Sequence, residues 1–353
     1  MTTNIVRNTL PTTSISSGFR GIEVAEVSAK YPNFDITVSK NFIYNLVTVS
    51  GQSAIGIRAY FTAPNGARSY FFANNFISNI FAIGSGTGSP ASLLNPTGIL
   101  IDAATVNTYT SADLITMSNN TINMSGNNIL AANSSISALF MGSSIRGGIS
   151  SVNNIFGVTA NRNTGGTMYA VISISPTNPF ALNPVFSIPA SDFNSYFVSG
   201  INPTATNNIL MATPSTTVPT RMNINTLRQF TGTTADLSSF NFPTKFLSDT
   251  LPDLNAVTAG SRYTAGASVS LVLIDIYGST RSLGPQMGAV KLNLINTPLQ
   301  PNATYQINGV DNYPVLASAG TGSFKTLRSA VNYLNAFGAV SYTHLTLPTN
   351  REV

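Results

Sequence analysis

Cysteine and tryptophan are both absent, and charge is scarce: Asp, Glu, Lys and Arg make up 8% of the chain, about a third of the share usual in soluble domains. Without cysteine there is no disulfide framework and no thiolate metal site. A single histidine, His344, stands near the end, so His-based triads and zinc sites lack material. The five Lys and twelve Arg are scattered without a run, and the net charge of +5 reflects few acids rather than many bases. A nucleic-acid partner is therefore not expected. No run approaches the ~20 apolar residues of a membrane-spanning helix, so membrane insertion is not expected either. The opening Met1-Thr2-Thr3-Asn4-Ile5-Val6-Arg7 lacks the charged segment and apolar stretch of a signal peptide.

What the chain does have is Ser, Thr, Asn and Gly in place of charge, with 43% hydrophobic residues and a mean hydropathy of +0.17, too apolar for a disordered tract. It also has a repeat. The stretch Phe71-Phe72-Ala73-Asn74-Asn75-Phe76-Ile77-Ser78 returns, altered, around Asn41, Asn120, Asn154 and Asn194, at steps of 34, 45, 34 and 40 residues. Each copy is one or two Asn, a short alternating run of Ile, Phe, Val or Tyr, and a polar turn. Asn tolerates the left-handed backbone of a tight bend, and stacked Asn side chains can bond to one another as a ladder. The repeat predicts a parallel β-solenoid, in which single copies cannot bury an apolar face and stacked copies can; a β-sandwich with Asn-containing turns is the plainer alternative. Ala54–Phe61, Gly98–Asp102, Ile136–Met141 and Met168–Ile174 alternate with period two and read as further strands.

Residues 1–292 are expected to form the C-terminal part of that solenoid, 293–302 a linker (Thr297-Pro298-Leu299-Gln300-Pro301-Asn302), and 303–339 a strand followed by an amphipathic helix. That helix would be N-capped by Ser323, closed by Gly338, and present Phe324, Leu327, Val331, Leu334 and Phe337 on one face. Residues 340–353, including His344, resemble one translated reading frame of a transposon-type sequencing adapter. On that reading they are foreign to the fold and the chain is a fragment truncated at both ends.

The passage Asp275-Ile276-Tyr277-Gly278-Ser279-Thr280-Arg281, followed by Gly288-Ala289, resembles the closing segment of pectin-lyase-like right-handed β-helices in large secreted bacterial surface proteins. There an Asp-Gly-x-x-Arg turn leads to an Ile-Gly-Ala-Asp-Glu-like end; here Val290-Lys291 replaces the acidic pair. The resemblance covers about 36–290 and implies an all-β, right-handed parallel β-helix, with 303–339 as the strand-plus-helix cap of a following β-helix domain. It also implies an extracellular or cell-surface location, and partners among surface glycans, other cells and neighbouring β-helix domains of the same chain.

Polysaccharide lyases and hydrolases share this fold, and they need clustered carboxylates or paired Asp residues. Of carboxylates the repeat region offers only Asp102, Asp113 and Asp192, with Arg58, Arg146 and Arg162 among its arginines, each alone in sequence. They read as turn or solvated residues, so no catalytic, metal or cofactor site is expected. Tyr60, Tyr70 and Tyr169 are candidates to stack on sugar rings, with core or flank positions as the alternative. The expected function is a non-catalytic structural or adhesive segment. The alternatives are a carbohydrate-active β-helix, marked by a second carboxylate stacked beside Asp102 or Asp113, and a viral spike or capsid protein.

Overall fold

The computed structural model describes residues 4–7, 18–26, 34–49, 53–62, 68–83, 95–104, 113–125, 127–128, 135–145, 148–162, 167–174, 180, 191–198, 208–213, 220–222, 236–239, 272–281, 287–289, 305–307, 315–316 and 322–324. Among them there is strand and turn but no helix. By contact density the chain divides into one unit of residues 1–256 and 263–292, and a second of 257–262 and 293–353.

The first unit is built in layers, each of the first five giving one strand to each of three main sheets and the last giving one strand to the six-stranded sheet and two to the seven-stranded one. The first layer is β1 (Asn4–Arg7), β2 (Phe19–Glu26) and β3 (Phe34–Ser39); the second is β4 (Asn41–Val49), β5 (Ala54–Phe61) and β6 (Arg68–Ala73). The third is β7 (Phe76–Ile83), β8 (Thr97–Ala103) and β9 (Leu114–Ser118). The fourth is β10 (Thr121–Met124), β11 (Asn127–Asn128), β12 (Ser135–Met141) and β13 (Ile149–Val152). The fifth is β14 (Ile155–Val158), β15 (Asn161–Arg162), β16 (Thr167–Ser173) and β17 (Ser191–Asp192), and the last is β18 (Ser195–Val198), β19 (Asn208–Thr213) and β20 (Thr220–Met222).

The sheets run β1-β4-β7-β10-β14-β18, β2-β5-β8-β12-β16-β19-β20 and β3-β6-β9-β13-β17, with β11-β15 as a small fourth. Every pairing among them is parallel except β19 with β20. The arrangement is all-β and compatible with a solenoid. Unequal layer lengths are absorbed between strands: β4 and β5 lie close in sequence, whereas Ile83 and Thr97 bound a longer connection from β7 to β8.

Parallel in-register stacking puts like beside like. Val6, Ile43, Ile77, Ile122, Phe156 and Tyr196 form one column of the core, and Ile22, Ile57, Ile99, Leu139 and Val171 form another. Most of these side chains are fully buried, each contributing about 1.5–3 kcal/mol of transfer free energy. Gly56 and Gly98 sit where the sheets come closest: a Cβ on either would lie 2.5 Å from the next layer's carbonyl or the facing Ile Cγ2. Glycine there is dictated by space.

In the second unit, β21 (Tyr305–Ile307), β22 (Val315–Leu316) and β23 (Gly322–Phe324) form a small sheet, β23 pairing parallel with β21 and antiparallel with β22. Ser323 and Phe324, expected at the start of a helix, are strand residues instead: Ser323 pairs with both Gln306 and Val315, and Phe324 pairs with Ile307. Residues 325–353, which hold the rest of the expected helix and the adapter-like string, lie outside the described residues, as do 290–304 with the expected linker.

Candidate functional site

The chemistry of the repeat is concentrated at the corner where each strand of the five-stranded sheet turns into the next strand of the six-stranded sheet. Two consecutive residues divide the work. The first adopts the left-handed conformation: Lys40 (φ 59°), Asn74 (53°), Asn119 (57°), Asn153 (61°) and Phe193 (53°). The second is the marker asparagine. The expectation that Asn41, Asn75, Asn120, Asn154 and Asn194 themselves make the left-handed bend is thereby corrected: the bend falls one residue earlier. The marker residues follow the bend, and there their side chains meet those of the layers before and after.

The marker asparagines form a continuous ladder. Nδ2 donates to the Oδ1 of the next layer from Asn41 to Asn75 (2.8 Å), Asn75 to Asn120 (2.9 Å), Asn120 to Asn154 (2.9 Å) and Asn154 to Asn194 (3.1 Å). The backbone N–H of each donor residue bonds to the same oxygen, at 2.9–3.2 Å. The second amide hydrogen turns back to a backbone carbonyl: Val38 for Asn75, Phe72 for Asn120, Met117 for Asn154 and Ser151 for Asn194. For Asn75, Asn120 and Asn154 this uses both donors and both lone pairs of the amide, in residues that are 0% exposed. All the amide dipoles point the same way, so each bond polarises the next. Sequence reasoning missed Asn4, which donates to Asn41 Oδ1 at 3.0 Å. Its signal was Asn4-Ile5-Val6 beside Asn41-Phe42-Ile43, one step of 37 residues earlier.

The ladder ends in hydroxyl and carboxylate chemistry. Asn194 N–H donates to Ser239 Oγ at 2.9 Å. Asp236, left-handed at φ 53°, accepts at Oδ1 from Ser239 Oγ (2.6 Å), Ser191 Oγ (3.0 Å) and Tyr196 Oη (3.1 Å). Burial, and then the Asp236 charge, push the Tyr196 phenol well above its ordinary range.

Over the outside of the corner lies the Asp275–Arg281 and Met287–Ala289 passage. Asp275 Oδ1 accepts from Tyr277 N–H and Ser279 N–H (2.9 and 2.7 Å), tying a tight turn. Arg281 donates through Nη2 to Asn74 Oδ1 and Gly288 O, both at 2.8 Å. Burial lowers the Arg281 pKa to about 10, with Asp275 opposing the shift. Asn74 Nδ2 donates to Ile274 O (2.8 Å), Gly288 N–H to Asn153 O (2.7 Å), and Ala289 N–H to Thr121 Oγ1 (2.8 Å). Ile276, Met287 and Ala289 bury the outward residues Phe76, Ile155 and Phe197. Gly288, at φ +85°, admits no side chain, because a Cβ would lie 2.7 Å from Thr121 Oγ1. The passage clasps the left-handed asparagines from outside while the ladder holds from within.

Of the ionisable candidates, Arg58 and Asp102 are brought together, and the carboxylates are not. Asp113 is fully buried and held bidentately by Arg68, Nε to Oδ1 at 2.6 Å and Nη2 to Oδ2 at 2.7 Å, both side chains 0% exposed. Asp102 stacks between Tyr60 and Gly142 on the outer face of the seven-stranded sheet, 3.9 Å from Arg58. Arg58 also binds Glu23 at 2.9 Å and lies over the Tyr60 ring at 4.0 Å. Burial raises the Asp102 pKa, with the Ala103 N–H and Arg58 opposing it. No carboxylate stacks directly beside Asp102 or Asp113 among the described residues. Asp192 accepts from Phe193 N–H and Ser238 N–H (2.9 and 2.7 Å) and shapes the last corner. Of the aromatic candidates, Tyr70 and Tyr169 are each 1% exposed, and Tyr60 alone retains an outer face. Arg146 lies outside the described residues and only the backbone of Arg162 is described. No group of three or more potential metal-ligating side chains occurs among the described residues, and no helix there is long and apolar enough to cross a membrane.

Asp192 carries a pH prediction. Burial raises its pKa despite the two backbone N–H bonds, and Asp236 adds to the rise. A carboxyl whose folded pKa exceeds its unfolded value stabilises fully only below the unfolded value, about pH 4, and loses that contribution as pH climbs through the folded value. Asp192→Asn keeps the acceptor oxygen and removes the charge. It should raise the denaturation midpoint at pH 7 and flatten the dependence above pH ~4; a lower midpoint at pH 7 would refute the account.

No family model, curated protein or solved structure matches the chain.

Proposed function

We propose that the first unit is the C-terminal part of a right-handed parallel β-helix, serving as a non-catalytic structural and adhesive segment of a large exported cell-surface repeat protein. The observation that carries this reading is the ladder. The amide chemistry repeated most regularly in the sequence is spent on holding layers together, with its donors and acceptors turned inward and used up. Right-handedness follows from the strong preference of parallel crossovers for that hand. Length, stiffness and a polar, weakly charged exterior are then the product. The second unit would open a following β-helix.

Surface glycans are the expected contacts, and the Tyr60–Arg58–Asp102 patch is the favoured place for them: a sugar face can lie on the ring while hydroxyls meet the ions. This also keeps a carbohydrate-active reading in view. A capsid jelly roll would need antiparallel sheets, whereas the three main sheets are parallel but for β20; a trimeric viral spike is compatible with them. The discriminating experiment incubates the chain with acidic and neutral polysaccharides, with and without calcium, and follows unsaturated products and reducing ends alongside glycan-array binding. Weak binding that falls in Tyr60→Ala, without cleavage, is expected. Cleavage abolished by Asp102→Asn would replace this reading with the enzymatic one.

A further inference from the structure

The two ends of the stack are chemically unlike. At the C-terminal end the ladder is stopped: Asn194 N–H goes to Ser239 Oγ, and its Nδ2 goes to Ser151 O and Ser191 Oγ. There the seven-stranded sheet finishes in the antiparallel β20. At the N-terminal end no such stop occurs among the described residues. β1, β2 and β3 are each the edge strand of their sheet, and among the described residues no group donates to Asn4 Oδ1, whereas each later marker oxygen accepts from the layer before it. The core is also open here. Val6, Ile22, Val24 and Ile36 are only partly buried, while their register partners Ile43, Ile57, Ala59 and Tyr70 are 0%, 0%, 0% and 1% exposed.

We propose that this end is an acceptor interface for one more parallel layer with asparagine at its corner, supplied in cis by a preceding repeat of a longer polypeptide. The side-chain Nδ2–H and backbone N–H of that asparagine fork onto Asn4 Oδ1, while its strands pair with β1, β2 and β3 and bury the open core residues. The proposal rests on the repeat-protein reading above and adds the chemistry of the contact. A second copy of this chain fits less well. Head to head, its strands would meet β1, β2 and β3 antiparallel rather than in the parallel register that stacks one corner on the next. Head to tail, the donors of Asn194 are already engaged.

The test fuses a copy of residues 41–74 directly before Asn4, setting the copied Asn41 the same 34 positions ahead of Asn4 that separate Asn41 from Asn75. Backbone amide exchange at Ile5, Val6, Ile22 and Val24 should slow at least ~10-fold, and the copied layer should resist protease. The same fusion with the copied Asn41→Ala should lose most of that protection. A copied layer that is clipped away, or exchange unchanged in a fusion whose other layers stay protected, overturns the proposal. So does sedimentation of the unfused chain as a dimer that protects those same amides. Polysaccharide cleavage by the unfused chain would sink the structural reading and leave this outcome unaffected.

Discussion

Asn120→Ala is expected to lower unfolding free energy by at least ~3 kcal/mol. The substitution strands three buried groups: the side-chain N–H and backbone N–H of Asn75 that shared Asn120 Oδ1, and the Phe72 carbonyl that accepted from Asn120 Nδ2. Each costs about 1–3 kcal/mol when left unpaired in the interior. By contrast, Asn4→Ala breaks one bond, to Asn41, at an exposed end of the ladder, and should cost no more than ~1 kcal/mol. Chemical denaturation of the two variants reads the gradient. If both midpoints shift equally, the ladder is decoration and the layers are held by the apolar columns alone.

Asn120→Asp sharpens the point, because it preserves shape and removes donors. A carboxylate there would face two acceptors, Phe72 O and Asn154 Oδ1. Burial and those oxygens raise its folded pKa above the unfolded value of about 3.9. The penalty should therefore grow as pH rises from ~4 and shrink below it, where the protonated group recovers one donor. A pH-independent penalty would contradict this.

Arg68→Met should cost about 3–5 kcal/mol, since it leaves the Asp113 carboxylate fully buried without its partner. The pair is bidentate, and the guanidinium also lies 4.8 Å from the centre of the Phe61 ring. The double variant Arg68→Met with Asp113→Leu should recover most of the loss, because two apolar side chains in one buried slot need no solvation. A double-mutant cycle measures the coupling. If the double variant is no better than Arg68→Met alone, then neighbouring groups rather than the pair hold the site, and the assignment of Asp113 to Arg68 as a structural couple fails.

These expectations mark the difference between finding a repeat and knowing what it does. Asn41, Asn75, Asn120, Asn154 and Asn194 were legible as markers because stacked layers need the same residue at the same place, so function along the stack becomes periodicity along the chain. The apolar runs at Ala54–Phe61 and Ile136–Met141 were legible as strands, but their faces were not: every residue of Ile136–Met141 is buried, so no alternation marks which side meets the core. The exchange of roles between Asn74 and Asn75 was not, since adjacent asparagines look alike in sequence and differ only in backbone sign. Phe193 and Lys40 hide the left-handed position altogether, because the clasp and the stack impose a conformation their own preferences disfavour.

The sequence by itself determined the class of the protein: an all-β, repeat-built, cysteine-free chain whose polarity is amide and hydroxyl rather than charge. Composition and spacing are sums over many residues, and such sums survive without coordinates. Tertiary structure alone decided the pairings that join residues far apart along the chain. Arg68 reaches Asp113 across one layer, Arg281 reaches Asn74 across 207 positions, and Asp192 shares the last corner with Ser238. None of these partners is marked by local pattern, since a buried ion pair or a clasp is a property of register and of which loop returns to which face. The ladder's direction is also a tertiary fact. Asparagine is both donor and acceptor, and only the stacking of one layer on the next settles which end is left asking for a donor.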